Sequence, residues 1–225
     1  MNKAIAGLVV LASVFAQHPQ PSTAAVPAAL QRSESAALTT WYVNFATGND
    51  GFTCLSAGQP CKTLTGVIAK AGADDTINLA AGVHMEAGIL VDKKLTIQGA
   101  GAGVTIIDGD AAGRILKVSS AATITDLTLR NGKLEGAAGN YLEDDGAAIM
   151  NSAPLILRNV SVVSNSVSGN GSGGAILALT DLSIEDSEIL SNTSANNAGA
   201  ITNYGTRPVV ITRTLFADNV AQGYA

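Results

Sequence analysis

The feature that most restricts the fold of this sequence is a repeat in its C-terminal half. Three segments align without gaps and start at Leu155, Leu182 and Val209, at a constant 27-residue step. In each segment hydrophobic residues alternate with other residues, a pattern that is typical of strands with one buried face. A unit this short cannot bury its own inner face, so successive units must stack on one another.

Each unit is predicted to form one coil of a solenoid. Two short strands meet at a bend within the unit, and a third strand precedes them, near Ile149 in the first unit. Two earlier coils, around Ile97 and Ile124, follow the pattern more loosely. Ile124 and Leu157 are related by a 33-residue step, which places an insertion of six within positions 134–145. The sequence therefore predicts an all-β, right-handed, single-stranded parallel β-helix built from 27-residue coils.

A column of asparagines is predicted along one turn of this β-helix. Asn165, Asn192 and Asn219 keep the 27-residue step, so their side chains would stack and bond to one another or to the backbone of the turn. The alternative is three unrelated surface asparagines, which the shared spacing disfavours. We interpret these residues as a structural Asn ladder.

Residues 1–40 are predicted to lie outside the fold. Residues 1–16 combine Lys3, an uncharged apolar stretch and a Val14–Ala16 end, as in a secretory signal peptide; a short buried helix is the alternative. Residues 17–40 are rich in Ala, Ser, Pro and Gln without apolar periodicity, which favours a disordered linker. The predicted location is therefore secreted, extracellular or at the cell outer membrane surface.

Residues 41–75 are predicted to cover the N-terminal end of the β-helix, which occupies residues 76–225. A strand starts at Trp41, and Thr63–Ala71 has the apolar spacing of a short capping helix. Cys54 and Cys61 flank a Gly/Pro turn, which favours a disulfide in an exported chain; half of a metal site is the alternative, with His84 as the one histidine beyond the linker. Nothing caps the last coil, which suggests a C-terminally truncated chain.

Composition excludes some function classes. The net charge is −5, so a nucleic-acid partner, which needs clustered Lys and Arg, is not predicted. No apolar stretch long enough to span a bilayer follows residue 16, so no transmembrane helix is predicted there.

Carboxylates are the candidate chemical groups, but no arrangement of them predicts a catalytic, cofactor-binding or metal site. Asp108 and Asp110 are interpreted first as turn residues. Glu143–Asp145 is interpreted as a solvated loop, with Ca²⁺ binding as the alternative. Four residues occupy equivalent bend positions in successive coils and are interpreted as ordinary bend residues: Asp126, Asn159, Asp186 and Arg213.

The repeats resemble those of polymorphic outer-membrane proteins. Gly173–Ile176 matches their Gly-Gly-Ala-Ile motif, and Phe216–Asn219 matches their Phe-x-x-Asn motif. The N-terminal part, from Trp41 to Gly99, is similar to large secreted bacterial β-helix proteins of the pectate-lyase-like superfamily. This resemblance implies a parallel β-helix but no particular activity, because this fold hosts enzymes, adhesins and passenger domains alike.

The sequence thus predicts a secreted or cell-surface β-helix repeat protein that is non-catalytic and adhesin- or passenger-like. Its expected partners are extracellular carbohydrate or proteins of a host or cell surface. The alternative is a carbohydrate-active enzyme, either a pectate-lyase-like polysaccharide lyase or a glycoside hydrolase, that acts on acidic polysaccharide.

Overall fold

A computed structural model describes residues 37–136 and 141–223; the predicted signal peptide and nearly all of the predicted linker lie outside these residues. Two short helices occur within them, α1 (Leu64–Lys70) and α2 (Tyr141–Asp144). The strands, in chain order, are β1 (Thr40–Val43), β2 (Thr76–Leu79), β3 (Gly82–Met85), β4 (Ile89–Val91), β5 (Leu95–Gln98), β6 (Thr105–Asp108), β7 (Leu116–Val118), β8 (Ala122–Arg130), β9 (Lys133–Gly136), β10 (Ile149–Asn151), β11 (Leu155–Val163), β12 (Ser166–Gly169), β13 (Ile176–Ala178), β14 (Leu182–Glu185), β15 (Glu188–Leu190), β16 (Thr193–Ser194), β17 (Ile201–Asn203), β18 (Val209–Thr212), β19 (Leu215–Ala217) and β20 (Val220–Ala221).

The strands form three parallel sheets, as a right-handed parallel β-helix requires. The first sheet has the order β1-β2-β5-β8-β11-β14-β18, with β3, β6, β15 and β19 beside this path. The second has the order β17-β13-β10-β7-β4, and the third β20-β16-β12-β9. Each coil contributes strands to the sheets in turn, so residues about one coil apart become hydrogen-bonded neighbours. The predicted fold class is confirmed.

The register stacks like residues along the inside of the solenoid. Leu155 pairs with Leu182, and Leu182 pairs with Val209, at the predicted 27-residue step. Ile124 pairs with Leu157 across the predicted 33-residue step. Leu155, Leu157, Ile124 and Leu182 are all buried. Full burial of each such side chain contributes roughly 1.5–3 kcal/mol, which offsets the entropy cost of ordering the coil.

The bend within each coil depends on left-handed backbone. The bend residues Asp126, Asn159, Asp186 and Arg213 have φ values of 59°, 49°, 50° and 47°. Asp and Asn tolerate this region better than other non-glycine residues. The strand pair predicted on either side of Asn159 is continuous in β11, whereas the next coil divides it into β14 and β15.

Helix α1 and the disulfide loop cover the N-terminal end. Thr63 caps α1 by accepting a hydrogen bond from the Gly66 amide (2.9 Å), and Glu86 accepts from the Leu64 and Thr65 amides (2.7 and 2.8 Å). These bonds satisfy amides that the first turn of a helix leaves free. The loop closed by Cys54 and Cys61 bonds to the outer edge of β1 through Tyr42, which removes an exposed strand edge.

Candidate functional site

The bend residues form one column on the outside of the first sheet. We call Asp126, Asn159, Asp186 and Arg213 the bend column; it crosses the coils of β8, β11, β14 and β18 at steps of about 4.8 Å, the spacing of neighbouring strands. The column brings two carboxylates, an amide and a guanidinium group into one line on the surface.

Asp126 is held by neutral donors. Its carboxylate accepts hydrogen bonds from Asn159 Nδ2 (2.7 Å), Thr125 Oγ1 (2.9 Å) and Gln98 Nε2 (3.4 Å). The bond from Asn159 lowers the pKa of Asp126 most, against the raising effect of partial burial. Asp126 is therefore ionised at neutral pH, and its charge is spread over amide and hydroxyl partners rather than neutralised by a cation.

Asp186 is held by a cation. Arg213 donates from Nε and Nη2 to its two carboxylate oxygens at 2.5 and 2.8 Å, a bidentate pair across one coil step. This pairing lowers the pKa of Asp186. Arg158 and Glu185, one residue before the column in their coils, form a second ion pair at 2.9 Å, which lowers the pKa of Glu185. Both pairs are open to solvent, so they orient the side chains more than they stabilise the fold.

A groove lies beside the bend column. It has a volume of about 450 Å³ and a lining that spans β8, β11 and the start of β15. Ala102, Ile106 and Val163 add apolar surface. Its polar lining side chains are Thr128, Arg130, Asn159, Ser161, Asp186, Ser187 and Glu188. Thr128, Ser161 and Glu188 are register partners, but Thr128 is buried and its hydroxyl accepts from the Gly103 amide, so Ser161 and Glu188 are the accessible members of this row.

Asp108 fixes the charge at one end of the groove. It is buried, and it accepts from Arg130 Nε (2.6 Å), Asn131 Nδ2 (3.0 Å) and the Asp110 amide (3.0 Å). Burial would raise its pKa, but these bonds outweigh burial and lower it. The turn interpretation holds for Asp110, whose φ is 48°, and it is wrong for Asp108, which ends strand β6 and points toward Arg130.

The acidic run Glu143–Asp145 does not converge on one point. Glu143 pairs with Arg114 and Lys117 at 3.3 and 3.2 Å. Asp145 is fully buried, accepts from the Ser172 amide (2.5 Å) and interacts with Tyr204; burial raises its pKa. The solvated-loop interpretation is therefore wrong for Asp145. Within residues 37–136 and 141–223, no three His, Cys, Asp or Glu residues are grouped as metal ligands.

The other predicted residues have structural roles. His84 lies on strand β3 with only 4% of its surface exposed, and its Nε2 is 2.9 Å from the Ala80 carbonyl oxygen, so its interpretation as a surface turn residue is wrong. Cys54 and Cys61 form the predicted disulfide, which removes the metal-site alternative for this pair. In the part of the chain described here, no helix has the length and apolar character needed to cross a membrane.

The three ladder asparagines stack in a column at the turn that follows the groove strands, and Asn165 and Asn192 are fully buried there. Asn165 Nδ2 donates to Asn192 Oδ1 (3.0 Å), and Asn192 Nδ2 donates to Asn219 Oδ1 (2.9 Å). The same oxygens accept from the backbone amides of Asn165 and Asn192. The ladder therefore joins three coils at one turn and is not itself part of the groove.

The sequence alone does not predict the groove or its residues Arg130, Ser161 and Glu188. Ser161 and Glu188 occupy the same repeat position in successive coils, and this could have marked them as one outward row. The Gly99–Gly103 stretch forms part of the groove wall, where the Gly103 amide donates to Thr128 Oγ1 (2.9 Å). No pattern in the sequence shows that this loop folds back beside the bend column.

Comparison with known proteins gives similarity of structure only. No model of a protein family matches the sequence, and no curated protein matches it. A pectin methylesterase in complex with a hexasaccharide has a TM-score of 0.46 at 16% identity, over 81% of this chain and 67% of that one. A mutant pectin methylesterase with another hexasaccharide has a TM-score of 0.46 at 16% identity, over 72% of this chain and 55% of that one. Pectin methylesterase PemA from Erwinia chrysanthemi has a TM-score of 0.43 at 16% identity, over 81% of this chain and 67% of that one.

All three of these structures are pectin methylesterases, which are carbohydrate-active proteins. They belong to the broad class named in the alternative prediction rather than to the adhesins of the main prediction. At this level the similarity concerns the general fold and decides no activity for this chain. The polymorphic outer-membrane repeats remain a resemblance in sequence motifs.

Proposed function

We propose that this protein is an extracellular β-helix protein that binds a glycan chain in the groove without cleaving it. The supporting observation is the polar lining of the groove: Ser161 and Glu188, register partners at one coil step, lie beside Asn159 and Asp186. An elongated ligand with hydroxyl groups at regular intervals suits a row of hydrogen-bonding side chains at steps of about 4.8 Å. The apolar surface of Ile106 and Val163 suits the face of a sugar ring.

The protonation states favour binding over catalysis. A general acid needs a pKa raised toward the working pH. Hydrogen bonds lower the pKa of Asp126 and Asp186, so both carboxylates are ionised at neutral pH. Asp145, the carboxylate whose pKa burial raises, lies before β10 of the second sheet and outside the groove lining. The groove thus offers acceptors and donors for a ligand, and neither column carboxylate is suited to donate a proton for glycosidic cleavage.

A carbohydrate-active enzyme is the second candidate, and one observation favours it. Asp126 and Asp186 are two coil steps apart in the bend column, so their backbones are separated by about 10 Å. Inverting glycosidases carry two carboxyl groups roughly 6.5–9.5 Å apart, so Asp186 would have to leave Arg213 and turn toward Asp126 to reach this distance. For this function a bound substrate would have to raise the pKa of one of the two carboxyls.

The disulfide supports an extracellular location. Disulfides persist in oxidising compartments and are rare in the cytosol. Cys54 and Cys61 form one in the loop that covers the first strand edge. Export through the predicted signal peptide, followed by release or by display on the outer membrane surface, is part of the proposal. Fractionation of the native cells, with detection of the chain in medium, membrane and cytosolic fractions, tests them.

Direct binding to a panel of soluble oligosaccharides tests the proposed function. Asn159→Gly removes the central amide of the groove and suits the left-handed backbone at this bend. We expect at least a tenfold loss of affinity. Asn170→Ala is the control, because Asn170 is exposed and outside the groove lining, and we expect no change.

Product analysis separates the two candidates. Release of reducing ends or of methanol from the bound glycan, abolished in both Asp126→Asn and Asp186→Asn, would establish the enzyme. Binding without turnover supports the lead proposal. If none of the oligosaccharides binds, and a surface protein binds instead, the glycan function is wrong in both forms.

A further inference from the structure

The charges around the groove do not cancel. Five carboxylates lie in or next to the groove and the bend column: Asp108, Asp126, Glu185, Asp186 and Glu188. Three guanidinium groups accompany them: Arg130, Arg158 and Arg213. Each guanidinium group pairs with one carboxylate, which leaves a formal charge of −2. Of these five carboxylates, Asp126 and Glu188 have no cation of the described residues within 4.0 Å.

Glu188 presents its charge to the groove. It begins β15, is exposed, and pairs in register with Ser161 on one side and Leu215 on the other. Neither neighbour carries a charge. The Arg213 guanidinium of the adjacent coil is held by both oxygens of Asp186. The Glu188 carboxylate is thus available to a ligand that lies along the groove beside Ser161.

Asp126 presents the second uncompensated charge at the edge of the groove. Its three donors are neutral groups, and the bond from Asn159 keeps the carboxylate in position one coil step from the groove lining. Asp126 and Glu188 belong to coils two steps apart, about 10 Å along the axis of the solenoid. A ligand that follows the axis passes both charges.

We propose that the ligand is a glycan with free amino groups, and this inference rests on the proposed glycan-binding function. Protonated amines on successive sugars would pair with Glu188 and Asp126, and complementary charge increases both association rate and specificity. An acidic polysaccharide, the ligand predicted with the alternative function, would bring like charges against two unpaired carboxylates. The electrostatics of the groove therefore oppose a polyuronate.

Three hexasaccharides of equal length test the inference with the full chain. The probes are a glucosamine hexamer, its N-acetylated counterpart and an oligogalacturonate, which are cationic, neutral and anionic at pH 6. Calorimetry at 50 and 300 mM salt is expected to give at least tenfold tighter binding of the glucosamine hexamer than of the N-acetylated one. The difference should shrink at the higher salt concentration, because salt screens exposed charges.

Glu188→Gln identifies the group responsible. Glu188 is exposed and has no cationic partner, so the variant is expected to fold normally and to bind the glucosamine hexamer about tenfold more weakly, with no change for the neutral hexamer. Glu135→Gln is the matched control; Glu135 is exposed on β9, in the third sheet, outside the groove lining. Asp126→Asn, which suits the left-handed bend, is the second variant and should act in the same direction.

The outcomes separate this inference from the function on which it rests. Equal or tighter binding of the neutral or the anionic hexamer overturns the inference but leaves glycan binding intact. Equal losses in Glu188→Gln and Glu135→Gln also overturn it, because the effect would then come from total charge. If no hexamer binds at any salt concentration while another oligosaccharide of the panel does, the inference fails and the proposed function stands; if nothing on the panel binds, the proposed function fails as well.

Discussion

Replacing Asn192 with alanine tests whether the buried ladder holds the coils together. The Asn192 side chain makes four hydrogen bonds: it accepts from the amide and the Nδ2 of Asn165 (3.0 Å each), and it donates to Val162 O and Asn219 Oδ1 (2.9 Å each). Three of these bonds are buried, and the bond to Asn219 is partly buried. The substitution removes four bonds at once, and water cannot replace the three buried ones.

The expected loss of unfolding free energy is about 3 kcal/mol. A neutral hydrogen bond contributes roughly 0.5–1.5 kcal/mol net, and a buried donor left without a partner costs about 1–3 kcal/mol. Asn165 Nδ2 keeps weaker bonds to Leu129 O and Val163 O, and Asn219 Oδ1 keeps the Asn192 amide. The backbone amide of Asn165 is the group that loses its partner. The expected loss of unfolding free energy therefore lies between the contribution of one hydrogen bond and that of four.

Urea denaturation followed by circular dichroism measures the effect. Asn170→Ala is the control, because Asn170 is exposed and its side chain makes no hydrogen bond in the part of the chain described; we expect a change below about 0.5 kcal/mol. If Asn192→Ala unfolds at the same urea concentration as Asn170→Ala, the ladder does not stabilise the β-helix, and the reasoning from buried hydrogen bonds is refuted.

Four further predictions concern other parts of the fold. Cys54→Ser removes the disulfide and should lower the free energy of unfolding by about 2.5 kcal/mol, since the disulfide spans a sequence separation of 7. Denaturation with and without reductant checks this, because reductant should affect only the wild type. Asp108 has a folded-state pKa below its unfolded value, so its stabilisation is present above about pH 3.9 and is lost as the pH falls through the folded-state pKa; Asp108→Asn should flatten the acid limb of a stability–pH curve. Asp145 has a raised folded-state pKa, so its contribution to stability is full below about pH 3.9 and is lost as the pH rises through the folded-state pKa. The stability advantage of Asp145→Asn over wild type should therefore grow from pH 4 to pH 7, and an advantage that stays constant would contradict this. Arg114→Ala should lower the free energy of unfolding by about 3 kcal/mol, because the buried guanidinium group donates to the carbonyls of residues 142, 143, 145 and 146. Hydrogen exchange should show faster exchange of the Gly146 amide in this variant, and unchanged exchange would contradict the role of this arginine.

The repeat was the part of the fold that could be predicted most fully. Residues one repeat apart, such as Leu155 and Leu182, are paired in register because a solenoid turns sequence periodicity directly into contact. The bend column followed from the same alignment, since Asp126, Asn159 and Asp186 share one position in the repeat. The interpretation of these residues as ordinary bend residues missed their pairing with neighbouring coils.

Burial outside the repeat could not be predicted in the same way. His84, Asp108 and Asp145 all lie where the local sequence favours a turn or a loop, and all three are buried. Two of them bond to segments distant in sequence: Asp108 to Arg130 and Asn131, and Asp145 to Ser172. Local propensity reports backbone preference and contains no information about which segment will lie above a residue.

The amino-acid sequence by itself determined the parallel β-helix, its coil length and the position of the insertion, because stacking requires like residues at a constant step. The tertiary structure decided the groove and its charge. Whether Arg130 neutralises Asp108 and whether Glu188 remains without a cation depend on distances between side chains of different coils, and those distances are fixed only when the coils and the Gly99–Gly103 loop are packed together.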